Sequence, residues 1–340
     1  MNTGDTVSLS EILSDPCWFP AGLERNIFDF VFTDHETLAS QPFLDRRWNK
    51  TGLAHIGVPA DELLARAPAQ LPPTPLNFIW HTGFCCSTLL ARLLDKPGRN
   101  LSLSEPQALT ALADARRAGA LPNWNTVMRA CQVTLHLIGR PLEEGAAVTV
   151  KPTPSTSCFL REAAELTGGR MLFLHSDCES FVASVHKLGE EGRAYVARMV
   201  SALTFDRLRP PQAIQFKGVD AAALVWHMQM AAYRVCADVI GARAASLDCD
   251  AFLDRPGESL SRIDAFLGLK LGGDHIAGVL EGPLFRRNVK DPSRAFDAVR
   301  RREEHAAARK ELGAALEDAV AKSRALFPDL TLPNPLAGAP

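Results

Sequence analysis

The segment 76–95 sets the tightest limit on what this chain can fold into. Leu76-Asn77-Phe78-Ile79-Trp80-His81 is a short apolar run that opens directly after a proline-rich connector, 67–75, and stops at Thr82-Gly83. A helix is expected over 87–95, with Leu89, Leu90, Leu93 and Leu94 as its apolar face. A run apolar on both faces reads as a buried parallel strand, so the unit is strand, tight loop, helix and it requires further strands beside it. They are present: apolar runs at 146–151 and 170–175 each precede a helix, and a later strand over 243–247 leads into a helix over 257–267. Strands alternating with helices predict an α/β fold, a three-layer, mostly parallel sheet flanked by helices.

The stretch 221–241 reads as a core helix, interrupted by His227, Gln229, Arg234 and Asp238, and Phe296, Val299, Ala306, Leu312, Leu316 and Val320 are spaced for a long terminal helix or helix pair. Residues 1–75 mix short amphipathic pieces with loops. Three parts are therefore expected: an N-terminal extension packing on the core (1–75), the α/β domain (76–290), and a C-terminal helix with a proline-rich tail (291–340).

The chain has 340 residues, 46% hydrophobic and 22% charged, which excludes disordered and collagen-like classes. With Lys+Arg 37 against Asp+Glu 39, no broad basic surface is available for nucleic acid or an acidic membrane, so an anionic ligand must be held by local groups. The first residues lack the order of a secretory signal, and no run reaches the roughly 18 apolar residues that span a bilayer. The 8 cysteines show neither CxxC spacing nor a zinc-type cluster. A reduced, cytoplasmic protein without a metal site is expected.

The loop Gly83-Phe84-Cys85-Cys86-Ser87-Thr88 leads from a buried strand to a helix start, where unpaired backbone N–H groups can hold an oxyanion and the two hydroxyls add donors. Ser87 as a plain helix cap is the alternative. The Gly-Lys pair of a Walker A loop is missing. Cys86 and Arg92 have the spacing of a thiol phosphatase loop, but Leu89-Leu90-Ala91 between them favour continuing a helix.

This segment resembles the phosphosulfate loop of the sulfotransferases that use 3′-phosphoadenosine 5′-phosphosulfate (PAPS), Pro-(Lys/Arg)-Ser-Gly-Thr-Thr before a leucine-rich helix. Ser87 and Thr88 match the two threonines, Gly83 replaces the proline, Phe84 stands in the basic position, and Cys85 and Cys86 stand at Ser-Gly. Further segments follow in the family's order. Leu103-Ser104-Glu105-Pro106 resembles the site of the catalytic glutamate in Golgi-type members, and Val150-Lys151-Pro152 the strand-end Lys-x-Pro of the bacterial branch. Phe173 to Ser184 resembles the 3′-phosphate motif, with Ser176 in place of its arginine. The stretch from Cys249-Asp250-Ala251-Phe252-Leu253 to Phe266-Leu267-Gly268-Leu269 is similar to the family's Tyr-Glu-Asp-Leu to Phe-Leu-Gly-Leu segment, and Phe285-Arg286-Arg287-Asn288 to its late Phe-Arg-Lys-Gly loop.

The resemblance implies a P-loop NTPase-like fold of sulfotransferase type, with PAPS as donor and PAP as product. It implies transfer of a sulfuryl group to a hydroxyl or amine on a small-molecule, glycan or peptide acceptor. Glu105 would be the base and Ser87, Thr88 and the loop amides a cradle for developing charge. Lys151 would replace the cation lost at Phe84, while Ser176, Ser184, Arg286, Arg287 and Lys290 would serve the nucleotide. Glu105 can also be read as a cap before the helix at Pro106, and His81 and His175 are alternative bases. Helices near 121–140 and 192–209 would wall the acceptor cleft, with Trp124, Phe205, Trp226 and His227 lining it. Two rival functions share the loop: a nucleotide-dependent phosphotransferase, and a nucleotide-binding member without catalysis.

Overall fold

The computed structural model describes residues 7–72, 74–121, 123–206, 208–285, 298–328 and 330–336, without the side chains of Phe205 and Ile214. Trp18–Glu24 (β1), Ile27–Phe32 (β2) and His55–Pro59 (β3) form an antiparallel sheet. Leu76–His81 (β4), Asn100–Ser104 (β5), Ala147–Lys151 (β6), Met171–His175 (β7) and Ala244–Asp248 (β8) form a parallel sheet in the order β5-β6-β4-β7-β8. The expected three-layer α/β architecture is therefore present. Every residue of β4 is buried. Its alternation divides the core: Leu76, Phe78 and Trp80 join the cluster under helices Gln107–Arg117 and Trp124–Ile138, while Ile79 joins the one under helices Ser87–Leu93 and Pro256–Leu267.

The first parallel strand lies in the middle, with the next two strands on one side and the last two on the other. The connection reverses direction at β4, and the loop after it opens on the carboxyl edge where open α/β sheets bind ligands. Close contact fixes the far end of this strand: a Cβ on Gly169 would fall 2.0 Å from the Leu76 carbonyl oxygen. The buried Asn77 is satisfied, accepting from the Arg170 amide at 2.9 Å and donating to the Leu267 carbonyl at 3.1 Å.

Two readings of the sequence are corrected. Strand β5 was hidden because its alternating Asn and Ser residues resemble a polar loop, although all five residues are buried. In the N-terminal part, where short amphipathic pieces and loops were expected, β1, β2 and β3 pair into a sheet. The β1–β2 hairpin turns on Arg25 and Asn26, at φ 47 and 64, the pair of left-handed residues that a two-residue type I′ turn needs. The terminal segment is a pair of helices, Ala298–Leu312 and Ala314–Arg324, separated by Gly313 at φ 52.

The N-terminal sheet is tied to the parallel sheet by packing and by two buried polar nodes. Phe19, Val31, Leu44 and Trp48 share one core cluster with Phe78, Trp80 and Leu103. Arg140 donates to the carbonyls of Ile12 (2.9 Å), Leu13 (3.0 Å) and Trp18 (2.7 Å), and burial lowers its pKa to about 10. His35 Nε2 meets Asp95 Oδ2 at 3.1 Å.

The hydrogen bond to Asp95, opposed by burial and aided by the charges of Asp95 and Glu143, raises the His35 pKa above the ordinary 6.5. A raised folded-state pKa adds stability that is full below the unfolded value and fades as pH rises through the folded value. The melting temperature of the wild type is therefore expected to exceed that of His35→Asn most below pH 6.5, with the gap narrowing as pH climbs above it. A gap that is constant with pH would show that the imidazole is uncharged in the fold.

Candidate active site

The loop after β4 is held by its carbonyl groups. The Tyr233 hydroxyl donates to the His81 carbonyl at 2.7 Å, and Tyr195 (3.1 Å) and Gln229 (3.3 Å) both donate to that of Thr82. His81 Nδ1 accepts from the Gly83 amide at 3.2 Å, which leaves the proton on Nε2 to be donated to the Pro152 carbonyl at 3.1 Å. Both ring nitrogens are thus occupied, and His81 is a brace, not a base.

Gly83, Phe84 and Cys86 all have positive φ, at 89, 54 and 59. A left-handed residue beside one of ordinary φ, as Cys86 is beside Cys85, turns backbone N–H groups into a concavity suited to an anion. Among the described residues, no backbone hydrogen bond engages the amides of Phe84, Cys85, Ser87 or Thr88. The Phe84 ring packs edge-on against Tyr195 at 4.9 Å and against Phe181 at 5.7 Å, so it anchors the loop to the helical layer. Cys85 is buried, its thiol points to the Leu174 carbonyl at 3.6 Å, and burial raises its pKa to about 11. Cys86 is hydrogen-bonded to Cys249.

These facts remove the thiol phosphatase reading. Residues 89–91 continue the helix Ser87–Leu93, and Arg92 donates to the Ser40 carbonyl at 3.0 Å.

One strand and then another away, β6 and β5 end in a charged cluster. Lys151 is 0% exposed, and its Nζ donates to Glu105 Oε1 at 2.6 Å. The Lys151 ammonium lies 5.4 Å from the Phe43 ring centre. Its partner is set by the backbone: the Glu105 amide donates to the Lys151 carbonyl at 2.7 Å, extending the β5–β6 ladder by one bond. Glu105 takes φ 54 just before proline, a conformation that costs a non-glycine residue about 1–3 kcal/mol. The turn aims its carboxylate back over the end of β6.

Three residues from the N-terminal sheet region complete the cluster and were not foreseen. Arg47 approaches Glu105 Oε2 at 3.7 Å, is held by Asp45 through Nε (2.9 Å) and Nη2 (2.5 Å), and stacks on Phe43 at 3.7 Å. Burial disfavours the Asp45 carboxylate, but hydrogen bonds from Arg47 outweigh it and lower its pKa. Leu44 clamps this segment to the site, donating to the Ser104 carbonyl at 2.7 Å and accepting from the Gln107 amide at 2.9 Å. Lys151, expected at the loop, pairs with Glu105, and its charge also acts on Cys85 of the loop.

The other side of the loop is differently furnished. Ser176 is 0% exposed, its hydroxyl has no partner among the described residues, and its carbonyl accepts from the Trp226 indole at 2.9 Å. Asp177 caps helix Cys178–Lys187. Along that helix lies Ala298–Leu312: Arg309 donates to Asp177 at 3.0 Å and to Ser180 at 2.8 Å, and His305 Nε2 meets the Ser184 hydroxyl at 3.0 Å. Burial lowers the His305 pKa to about 4, so it is neutral.

His175 is likewise pushed down by burial, with Asp248 3.9 Å from its Nδ1. A cavity of about 830 Å3 beyond β7 and β8 is lined by Asp177, Asp248, Asp250 and Asp254 as well as Arg255 and Arg324.

Arg286, Arg287 and Lys290 lie outside the described residues. Of the aromatic residues expected to line an acceptor cleft, Trp226 and His227 meet edge-on at 4.8 Å and both line the cavity beyond β7 and β8. Trp124 is exposed under Arg116, and His227 is buried against Ser323 at 3.0 Å. Among the described residues, no group of three His, Cys, Asp or Glu side chains could hold a metal ion, and no helix is long and apolar enough to cross a membrane.

No family model and no curated protein matches this chain. Solved structures do. The sulfotransferase domain from the curacin biosynthetic pathway is 13% identical, with 79% of this chain and 95% of that one covered at a TM-score of 0.44. A sulfotransferase from Alicyclobacillus acidocaldarius is 16% identical over 76% of this chain and 96% of that one, TM-score 0.39. One from Mycobacterium avium is 13% identical over 80% of each, TM-score 0.39.

Proposed function

We propose that this chain is a sulfotransferase that moves the sulfuryl group of PAPS, its donor substrate, to a hydroxyl or amine of a small-molecule, glycan or peptide acceptor. The observation that carries the reading is the Glu105–Lys151 pair, fixed by strand register at the same sheet edge as an amide-lined loop. The acceptor oxygen or nitrogen attacks sulfur in line, the bond from sulfur to the phosphate oxygen breaks, and the acceptor proton passes to Glu105. Lys151 holds Oε1 of that carboxylate, so a single rotamer faces the acceptor. The loop amides with Ser87 and Thr88 take the charge that grows on the leaving phosphate, a contribution that needs no rearrangement during the reaction.

The residues fit the 5′ end of the donor through the loop concavity. Toward the 3′ end, the Ser176 hydroxyl, without a partner among the described residues, is a donor waiting for an acceptor, whereas Ser184 is already engaged by His305. That engagement, with the aromatic anchor at Phe84, favours a second reading, a nucleotide-binding protein without turnover.

A thermal-shift titration separates the possibilities. PAP is expected to raise the melting temperature, with about 2.7 kcal/mol of stabilisation at a hundredfold excess over its dissociation constant. ATP with Mg²⁺ is expected to do nothing. Stabilisation by ATP alone would point to a phosphotransferase, and no response to either would remove the nucleotide from the account.

A further inference from the structure

Backbone amides can hold an oxyanion and a nearby cation strengthens the hold, but this loop carries no cation of its own. Between His81 and Leu94 the only arginine or lysine is Arg92, which is turned to Ser40. A cation arrives from a distant part of the chain. The thiol of Cys86 in the loop is hydrogen-bonded to that of Cys249, the first residue of helix Cys249–Asp254, and the next residue, Asp250, accepts from Arg301 Nη1. Arg301 comes from helix Ala298–Leu312, whose first residue packs on the same apolar cluster as Cys86.

The Arg301 side chain is 11% exposed, and its other terminal nitrogen, Nη2, is buried without a hydrogen-bond partner among the described residues. The guanidinium lies within electrostatic reach of the Cys86 and Cys249 sulfurs. A buried donor left unsatisfied is costly, and native proteins seldom keep one without a use.

We propose that Arg301 is the cation of the loop: with Nη1 tied to Asp250, its unpaired Nη2 donates to the oxyanion that the loop amides hold. The planar fork suits this division, one nitrogen for the protein and one for the ligand. The C-terminal helix is then part of the anion site. The inference rests on the loop being an anion site, as the proposed function requires, but not on the anion being PAPS.

Calorimetric titration of the full chain tests it, with inorganic pyrophosphate as the bare anion and PAP as the nucleotide. Arg301→Gln is expected to weaken pyrophosphate binding by about tenfold or more, the size of one charge-assisted bond. Arg301→Lys should recover part of the loss. Arg302→Gln, which removes an exposed charge paired with Asp254 at 2.5 Å, should leave affinity unchanged and so exclude a general charge effect.

Equal pyrophosphate affinity in wild type and both Arg301 variants overturns the proposal, as does a wild type that binds no pyrophosphate. Pyrophosphate binding that depends on Arg301 without any PAP binding would keep Arg301 and remove PAPS. PAP binding indifferent to Arg301 would do the reverse.

Discussion

Glu105→Gln is expected to lower sulfuryl transfer by about 10²–10⁴-fold, the usual worth of a positioned general base. PAP affinity should stay close to that of the wild type, because the carboxylate lies at the end of β5 and not on the loop. The substitution has a second effect that must be separated from the first. Lys151 is 0% exposed, and its ammonium would lose the carboxylate 2.6 Å away. Removing one partner of a buried pair costs about 3–5 kcal/mol, a large share of the roughly 5–15 kcal/mol that holds a typical domain together. The single variant should therefore melt well below the wild type.

Glu105→Gln combined with Lys151→Met removes both charges, and replacing a buried pair by apolar groups is often neutral or stabilising. The double variant is expected to regain most of the lost stability and none of the activity. A double variant with wild-type turnover would show that Glu105 takes no proton.

Gly83→Ala is the second large effect. The residue has φ 89, and a Cβ there would stand 2.7 Å from the Tyr195 hydroxyl and 3.3 Å from its ring carbon. Backbone strain alone costs about 1–3 kcal/mol. Relief requires Tyr195 to withdraw, which breaks its bond to the Thr82 carbonyl and frees one anchor of the loop. Stability should fall by a few kcal/mol, roughly the strain plus one lost buried hydrogen bond. PAP binding should weaken by more than about tenfold, because the amides no longer converge.

Adding Tyr195→Phe removes the nearest atom and leaves the 3.3 Å contact. The pair should then be less damaging than the sum of its parts, a coupling that a double-mutant cycle reads directly. Additive effects in that cycle would mean that the loop is not braced through Tyr195.

The central unit of the fold was legible because its signals are local. The apolar run of β4, the small residues after it and the leucine face of Ser87–Leu93 lie within one stretch, and each alone predicts the next. The antiparallel sheet was not legible because its hairpin uses Arg25 and Asn26 at positive φ in place of the Asn-Gly signal, and β5 because its serines and asparagine are polar yet buried.

The charged cluster divides in the same way. Lys151 ends a strand that could be read from sequence, but Glu105 follows the hidden β5, and their mutual bond depends on a register that only the sheet reveals. Phe43, Asp45 and Arg47 precede β5 by more than a whole strand and helix, and nothing in their pattern points to the sheet edge. Arg301 and His305 reach Asp250 and Ser184 from the far end of the chain, through a helix whose charged composition reads as a solvated surface.

The most direct measurement is a crystal structure of the full chain with PAP. The account predicts the 5′-phosphate within hydrogen-bond distance of the loop amides and of the Ser87 and Thr88 hydroxyls, with the Glu105 carboxylate facing the position of the missing sulfuryl group. PAP seated away from that loop, for instance in the acid-lined cavity beyond β8, would contradict it.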